Sequence, residues 1–107
     1  MDFNQEVVRL RLYMGADKMH GGQPLYEAIV KKARECKLAG ATLMRGTEGY
    51  GRSTRLHSAE VLFSNDTPVV IEFIDTQEKI DEFVALLDSV KEVALVTYEK
   101  IRVMLRR

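Results

Sequence analysis

Most of the residues that would assign a chemistry at sight are missing from this chain. Among its 107 residues there is one cysteine, Cys36. An intramolecular disulfide and any CxxC zinc pair are therefore excluded. Cys36 reads as a small apolar residue on a helix face, in a reduced, cytosolic protein. Neither charge sign is in surplus, since 16 basic residues balance 16 acidic ones. Extended nucleic acid or an anionic membrane would favour a basic excess, so neither is expected as a partner, local patches aside. No apolar run approaches the ~20 residues that span a bilayer. The opening MDFNQEVVRLRL carries charges where a signal peptide needs an apolar stretch. These absences describe a soluble, cytoplasmic protein. Also absent are a GxSxG nucleophile elbow, a cysteine–histidine motif and a GxxxxGK[ST] phosphate loop. The expectation is a protein that is not an enzyme. No repeat, low-complexity tract or linker interrupts the chain, whose length suits one domain, residues 1–107.

The elements that are present alternate in type. Val8, Leu10, Leu12 and Met14 alternate with Arg9, Arg11 and Tyr13, a period of two that predicts a strand with one apolar face. A loop, GADKMHGG over Gly15 to Gly22, follows. Pro24 suits a first helical turn, and Leu25, Ala28, Ile29, Ala33 and Cys36 continue at helical spacing up to Gly40, a natural stop. Ala41 to Arg45 reads as a strand, Ala59 to Phe63 is apolar again, and Asn65-Asp66 reads as a turn. The β-branched and aromatic run Pro68 to Ile74 is the clearest strand. Asp75 and Glu78 form a capping box for a helix whose stripe is Ile80, Phe83, Val84, Leu87 and Val90. Ile101, Val103 and Leu105 alternate as a closing strand. The order βαββαβ predicts an α+β, ferredoxin-like sandwich, an antiparallel sheet with two helices on one face. Its other face would carry Arg9, Arg11, Tyr13 and Glu72 among apolar neighbours, and such a face can pack against copies of itself.

Two glycine-rich segments are candidates for binding. Residues 45–53 hold three glycines, Gly46, Gly49 and Gly51, with Arg45 and Arg52. Glycines let the backbone approach a ligand and present N–H groups to an anion, and arginine adds a fixed fork of donors. Tyr50 could stack on a base, and Ser53 lies beside it. The bland reading is a hairpin with solvated arginines. The second segment, Asp17 to Gly22, precedes a helix, whose free N–H groups attract anions, with Lys18 and His20 adding charge. Here the bland reading is a plain connection. His20 and His57 are the only histidines. They could meet at a metal across a subunit boundary, but no HxxxH-like spacing supports it, and His57 suits a polar neighbour of a ligand or another subunit.

The run Gly49-Tyr50-Gly51-Arg52 resembles the GFGR element at the base of the T-loop in PII nitrogen-regulatory proteins. The wider chain is closer still to an uncharacterised bacterial PII-like family, in which HGxPLYEAIV, GATxxRGxEGFG and IHxA recur. Here these read HGGQPLYEAIV at 20–30, GATLMRGTEGYG at 40–51 and LHSA at 56–59. The resemblance implies a ferredoxin-like homotrimer with nucleotides in clefts between subunits and a loop that reports the bound state to a partner protein. Carried over by position, Gly49, Gly51 and Arg52 line the cleft, with Ser53 beside them and Gly46 at the start of the element. The ligand so implied is ATP, ADP or AMP, no cofactor is required, and the partner could be a membrane transporter or channel. Two features depart from the PII pattern. The GDGK phosphate loop is replaced by KEVALVT, and the RIR triplet by Ile101-Arg102-Val103. The Lys18–His20 loop could stand in for the missing phosphate site. A competing expectation is a metal-binding trimer like the CutA-type cation-tolerance proteins. The composition of residues 50–58 leads to the expectation of a mobile effector loop that ligand partly orders.

Overall fold

The computed structural model describes residues 1–47 and 67–107. The elements are β1 (Glu6–Gly15), β2 (Met19–His20), β3 (Gln23–Pro24), α1 (Leu25–Glu35), β4 (Ala41–Arg45), β5 (Pro68–Asp75), α2 (Gln77–Leu87) and β6 (Leu95–Arg102). Four strands form one sheet in the order β4-β5-β1-β6, and every neighbouring pair is antiparallel. This is the ferredoxin-like α+β arrangement that the element order predicts. The expected strand over residues 59–63 and the Asn65-Asp66 turn lie outside the described residues.

The sheet register explains which face the helices cover. Leu10 pairs with Phe73 and Leu12 with Ile71, so the apolar positions of the two central strands align on one side. With Val8, Met14 and Val69 they are almost completely buried. Leu25, Ile29 and Ala33 of α1 and Ile80, Phe83 and Leu87 of α2 close over them. Phe73 meets Phe83 edge to face, with centroids 5.1 Å apart. Such a pair adds about 0.5–1.5 kcal/mol beyond its area. The opposite face carries Arg9, Arg11, Tyr13 and Glu72, as the alternation in β1 predicts.

Several boundaries differ from the sequence expectations. Helix α1 ends before Gly40. Lys37 takes a positive φ of 61°, and the N–H groups of Leu38 and Lys37 donate to the carbonyls of Ala33 and Arg34. This is a Schellman stop built on a lysine. Cys36 is therefore the C-cap of α1, free and half-buried against the same core that Leu25, Ile29 and Ala33 cover. Pro24 is the N-cap of α1 and the end of β3. Thr76, not Asp75, caps α2, its hydroxyl accepting from the Lys79 N–H at 3.4 Å. Asp75 is buried, and its two carboxylate oxygens accept from the Ala39 and Thr76 N–H groups at 2.8 and 2.7 Å. It ties the α1–β4 connection to the start of α2. Strand β6 starts earlier and ends sooner than the Ile101–Leu105 alternation suggests, because β1 offers Glu6 to Tyr13 against Leu95 to Arg102, which leaves Val103 and Leu105 beyond the strand.

Candidate functional site

The loop read over Gly15 to Gly22 contains a small hairpin. Strands β2 and β3 pair Met19 with Pro24 and His20 with Gln23. The two residues between them, Gly21 and Gly22, have φ of 59° and 80°. Positive φ at both positions is the type I′ pattern of a two-residue hairpin turn, which glycine adopts without strain. A Cβ at either would meet nothing within 4 Å, so backbone conformation, not close approach, demands these glycines. The hairpin leads directly into α1. The first helical N–H, that of Leu25, already donates to the Lys18 carbonyl at 2.8 Å. One of the free donors expected there for an anion is thus taken, and Glu27 sits in the first turn.

His20 lies exposed at the hairpin tip and reaches across to the segment between α2 and β6. Its Nδ1 is 3.0 Å from Glu92 Oε1. The hydrogen bond from His20 holds the Glu92 carboxyl below the ordinary glutamate range, so near neutral pH the carboxylate accepts and Nδ1 carries the proton. Two segments that the sequence leaves unconnected, MHGG and KEVALVT, are therefore neighbours. The arrangement brings the hairpin against the segment between α2 and β6. It also places a carboxylate against His20, so an anion bound there would have to displace Glu92. Sequence reasoning missed Glu92, because one glutamate among many in a polar loop gives no local signal. Lys18 is half-buried and joins the site through its backbone.

Gly46 sits at the other candidate segment, where the chain leaves β4. Its N–H donates to the Pro68 carbonyl at 2.8 Å. A Cβ at this position would come within 2.7 Å of Pro68 Cγ. Glycine is thus required by the close pairing of the β4 end with the β5 start. Arg45 is engaged beside it, its Nε donating to Thr67 Oγ1 at 3.2 Å. Gly49, Tyr50, Gly51, Arg52, Ser53 and His57, and the effector loop expected over 50–58, lie outside the described residues.

The helix-free face of the sheet carries a charge ladder across three strands. Arg9 Nη1 donates to Glu99 Oε1 at 2.6 Å, and Arg11 Nε donates to Glu72 Oε2 at 2.9 Å. Arg9 Nε stands 3.8 Å from the same Glu72 oxygen, and it is buried without a hydrogen-bond partner. The hydrogen bond from Arg11 to Glu72 holds the guanidinium even more firmly protonated. Tyr13, Val70 and Leu95 lie on this same face by register. On the helix side, a groove of about 400 Å³ runs between α1 and β4, floored by Tyr26, Val30, Ala41 and Leu43 and rimmed by Glu27 and Arg34.

Among the described residues no helix is long and apolar enough to cross a membrane. Two comparisons with solved structures agree with the fold. A candidate PII-like signalling protein from Thermus thermophilus superposes with a TM-score of 0.71 at 13% identity, covering 96% of this chain and 94% of that one. CPII from Thiomonas intermedia K12, in a structure bound to ADP and bicarbonate, superposes with a TM-score of 0.70 at 15% identity, covering 94% and 91%. By sequence, a UPF0166 protein of Aquifex aeolicus (strain VF5) is 32% identical over 96 residues, 89% of this chain and 90% of the relative. A further UPF0166 match from the same organism is 30% identical over 78 residues, 72% of this chain and 81% of the relative. Residues 7–103 match the family DUF190, described as Uncharacterized ACR, COG1993, and to that family the chain belongs.

Proposed function

We propose that this protein is a PII-like regulatory homotrimer, cytoplasmic, which binds an adenine nucleotide at clefts between its subunits and acts on a partner protein without catalysing a reaction. The observation that carries the reading is the shared fold with CPII, whose structure holds ADP and bicarbonate. The chain follows that fold over nearly its whole length, and it carries the Gly49-Tyr50-Gly51-Arg52 run a few residues after β4 in sequence. The helix-free sheet face supports assembly, because its charges are already paired within one chain and apolar side chains flank them. In this reading Arg52 contacts the nucleotide, Gly49 and Gly51 let the backbone approach it, and the β2–β3 hairpin brings His20 to the phosphate end, where the anion displaces Glu92. The segment 50–58 carries the bound state to the partner, with a membrane transporter or channel the kind of protein PII-like regulators suit.

Calorimetry with ADP, ATP and AMP tests this reading, alongside light scattering for three chain masses. Binding that drops ten- to hundredfold in Arg52→Ala is expected, since one charge-assisted contact contributes about 1.5–3 kcal/mol. No heat and no thermal shift with any of the three nucleotides would sink it. The metal-binding alternative gains no support from the described residues, among which no group of three or more His, Cys, Asp or Glu is placed to hold an ion.

A further inference from the structure

The even charge balance of the whole chain conceals a local excess where residues 2–5 meet residues 102–107. Beyond β6 the Val103 N–H donates to the Gln5 carbonyl at 3.0 Å, and the Asn4 N–H donates to the Val103 carbonyl at 2.6 Å. Arg102 reinforces this junction, its Nη1 donating to the Asn4 carbonyl at 3.0 Å. Residues 2–5 form a tight turn. The Gln5 N–H reaches the Asp2 carbonyl at 3.1 Å, the Gln5 side chain accepts from the Asp2 N–H at 2.8 Å, and Asn4 takes a positive φ of 62°. Phe3 occupies a central position of that turn, where glycine, proline and small polar residues are usual. It is 74% exposed, and Met104 and Leu105, directly after the junction, are 76% and 67% exposed. Three large apolar side chains therefore stand in water at one end of the sheet, on backbone that hydrogen bonds hold in place. The same corner carries Lys100, Arg102, Arg106 and Arg107 against Asp2 and Glu6, and Glu6 is already engaged by Lys100 at 3.8 Å. Among the described residues, Arg102, Arg106 and Arg107 have no carboxylate within ion-pair distance.

We propose that this corner docks on an anionic lipid surface, with Phe3, Met104 and Leu105 entering the boundary between headgroups and acyl chains and the arginines meeting lipid phosphates. Apolar side chains flanked by basic ones are the composition of interfacial anchors, whose binding adds buried apolar area to attraction for anionic lipid. Such contact needs no spanning helix, and the described residues form none. Two features favour lipid over a protein surface. The three apolar side chains come from a turn and from irregular residues after a strand, an uneven surface. A protein interface needs close shape complementarity, whereas a fluid lipid boundary conforms to what enters it. Guanidinium forks without a carboxylate also match phosphate oxygens in pairs. The patch lies at the opposite end of β1 from the candidate site. Glu6 pairs with Arg102 at this end, whereas Gly15 pairs with Pro68 and Tyr13 with Leu95 at the other. That far end is where Gly46 and the His20–Glu92 contact lie. The ten residues of β1 separate the two ends by roughly 30 Å, so docking leaves the candidate site clear and does not depend on the nucleotide reading.

The chain has no tryptophan, so Phe3→Trp supplies a single reporter at the patch. Co-sedimentation and emission are followed with vesicles of phosphatidylcholine alone and of equal parts phosphatidylcholine and phosphatidylglycerol. The expected result is binding to the mixed vesicles only, weakening as salt screens the charges, with a blue shift and quenching by brominated acyl chains. Arg106→Gln combined with Arg107→Gln should weaken binding about 25-fold, since each basic side chain near an anionic surface contributes about fivefold. Phe3→Ser combined with Leu105→Ser should weaken it about tenfold or more and leave the circular dichroism spectrum unchanged, because both side chains are exposed. Should that variant unfold, the emission of Phe3→Trp decides. No binding to the mixed vesicles at low salt would overturn the proposal. Binding that survives both double substitutions would also overturn it, by assigning the lipid contact to another surface. A blue shift without lipid that grows with protein concentration, together with a rising mass by light scattering, would put a second copy of the chain on the patch instead. Soluble polyglutamate that binds where the mixed vesicles do not would assign the arginines to an acidic protein surface, with the same consequence.

Discussion

Two residues show how a single side chain, or its absence, is set by a contact distant in sequence. Gly46 occurs in a stretch whose glycines suggest a ligand cradle, yet its own requirement comes from Pro68, 22 positions on. The Pro68 ring cannot swing away as a long side chain could, so an added Cβ at 2.7 Å forces the strand ends apart. Gly46→Ala should cost about 1–3 kcal/mol, the range for overpacking, read as a lower urea midpoint. An unchanged midpoint would mean that the β4–β5 junction is looser than described. His20 and Glu92 make the second case. The folded protein depresses the Glu92 pKa, so the stabilisation from this pair is present above the ordinary glutamate range and fades as pH falls through the folded value. In His20→Ala, Glu92 should titrate upward towards an ordinary glutamate when its carboxyl carbon is followed by NMR. A midpoint that stays put would show that the hairpin and the α2–β6 segment do not meet in solution. Neither contact is legible in the sequence, since each depends on which distant segment folds alongside. Gly21-Gly22 is legible as a glycine-rich connection because the demand for positive φ is local.

At the level of elements, the periodic signals are legible and the ends less so. The stripes Leu25–Ile29–Ala33 and Ile80–Phe83–Leu87 lie on the core as their spacing predicts, and the alternation of β1 separates a buried face from a charged one. The sequence points to Gly40 as the end of α1 because glycine is the common left-handed residue, whereas Lys37 occupies that position at φ 61°. The core contacts of Leu38 hold it there. An L-residue in this conformation costs roughly 1–2 kcal/mol. Glycine relieves that cost but adds freedom to the unfolded chain, a loss of about 0.4–1 kcal/mol. Lys37→Gly should therefore gain about 0.5–1 kcal/mol in chemical denaturation. A loss would indicate that the turn tolerates lysine without strain. The start of α2 lies one residue later than the sequence suggests, for a similar reason. Asp75 has the chemistry of a cap, but it lies on the buried face of β5, so its carboxylate serves the Ala39 and Thr76 amides and leaves the capping to Thr76.

For the whole molecule, the charge ladder on the helix-free face distinguishes an open sheet from a closed assembly. Glu72 lies between two arginines that project from the same side of β1, bonded to Arg11 and 3.8 Å from Arg9. If water covers this face, the ladder is a set of half-exposed ion pairs, each contributing about 0.2–1 kcal/mol and weakening with salt. If copies of the chain cover it, removing Glu72 leaves the Arg11 guanidinium away from water without a counter-charge, at about 3–5 kcal/mol, while Arg9 keeps Glu99. Glu72→Gln keeps the shape of the side chain and removes only the charge, so it separates the two cases. The trimer reading predicts the larger loss per chain, a dissociation midpoint shifted to higher protein concentration, and little recovery in high salt because buried pairs are poorly screened. Arg11→Met added to Glu72→Gln should recover part of the loss, since the pair is then removed together and not broken. The measurement is thermal unfolding at several protein concentrations, with mass followed by light scattering. A loss under about 1 kcal/mol that disappears in salt would mean that this face stays wet and takes no part in any assembly of the chain.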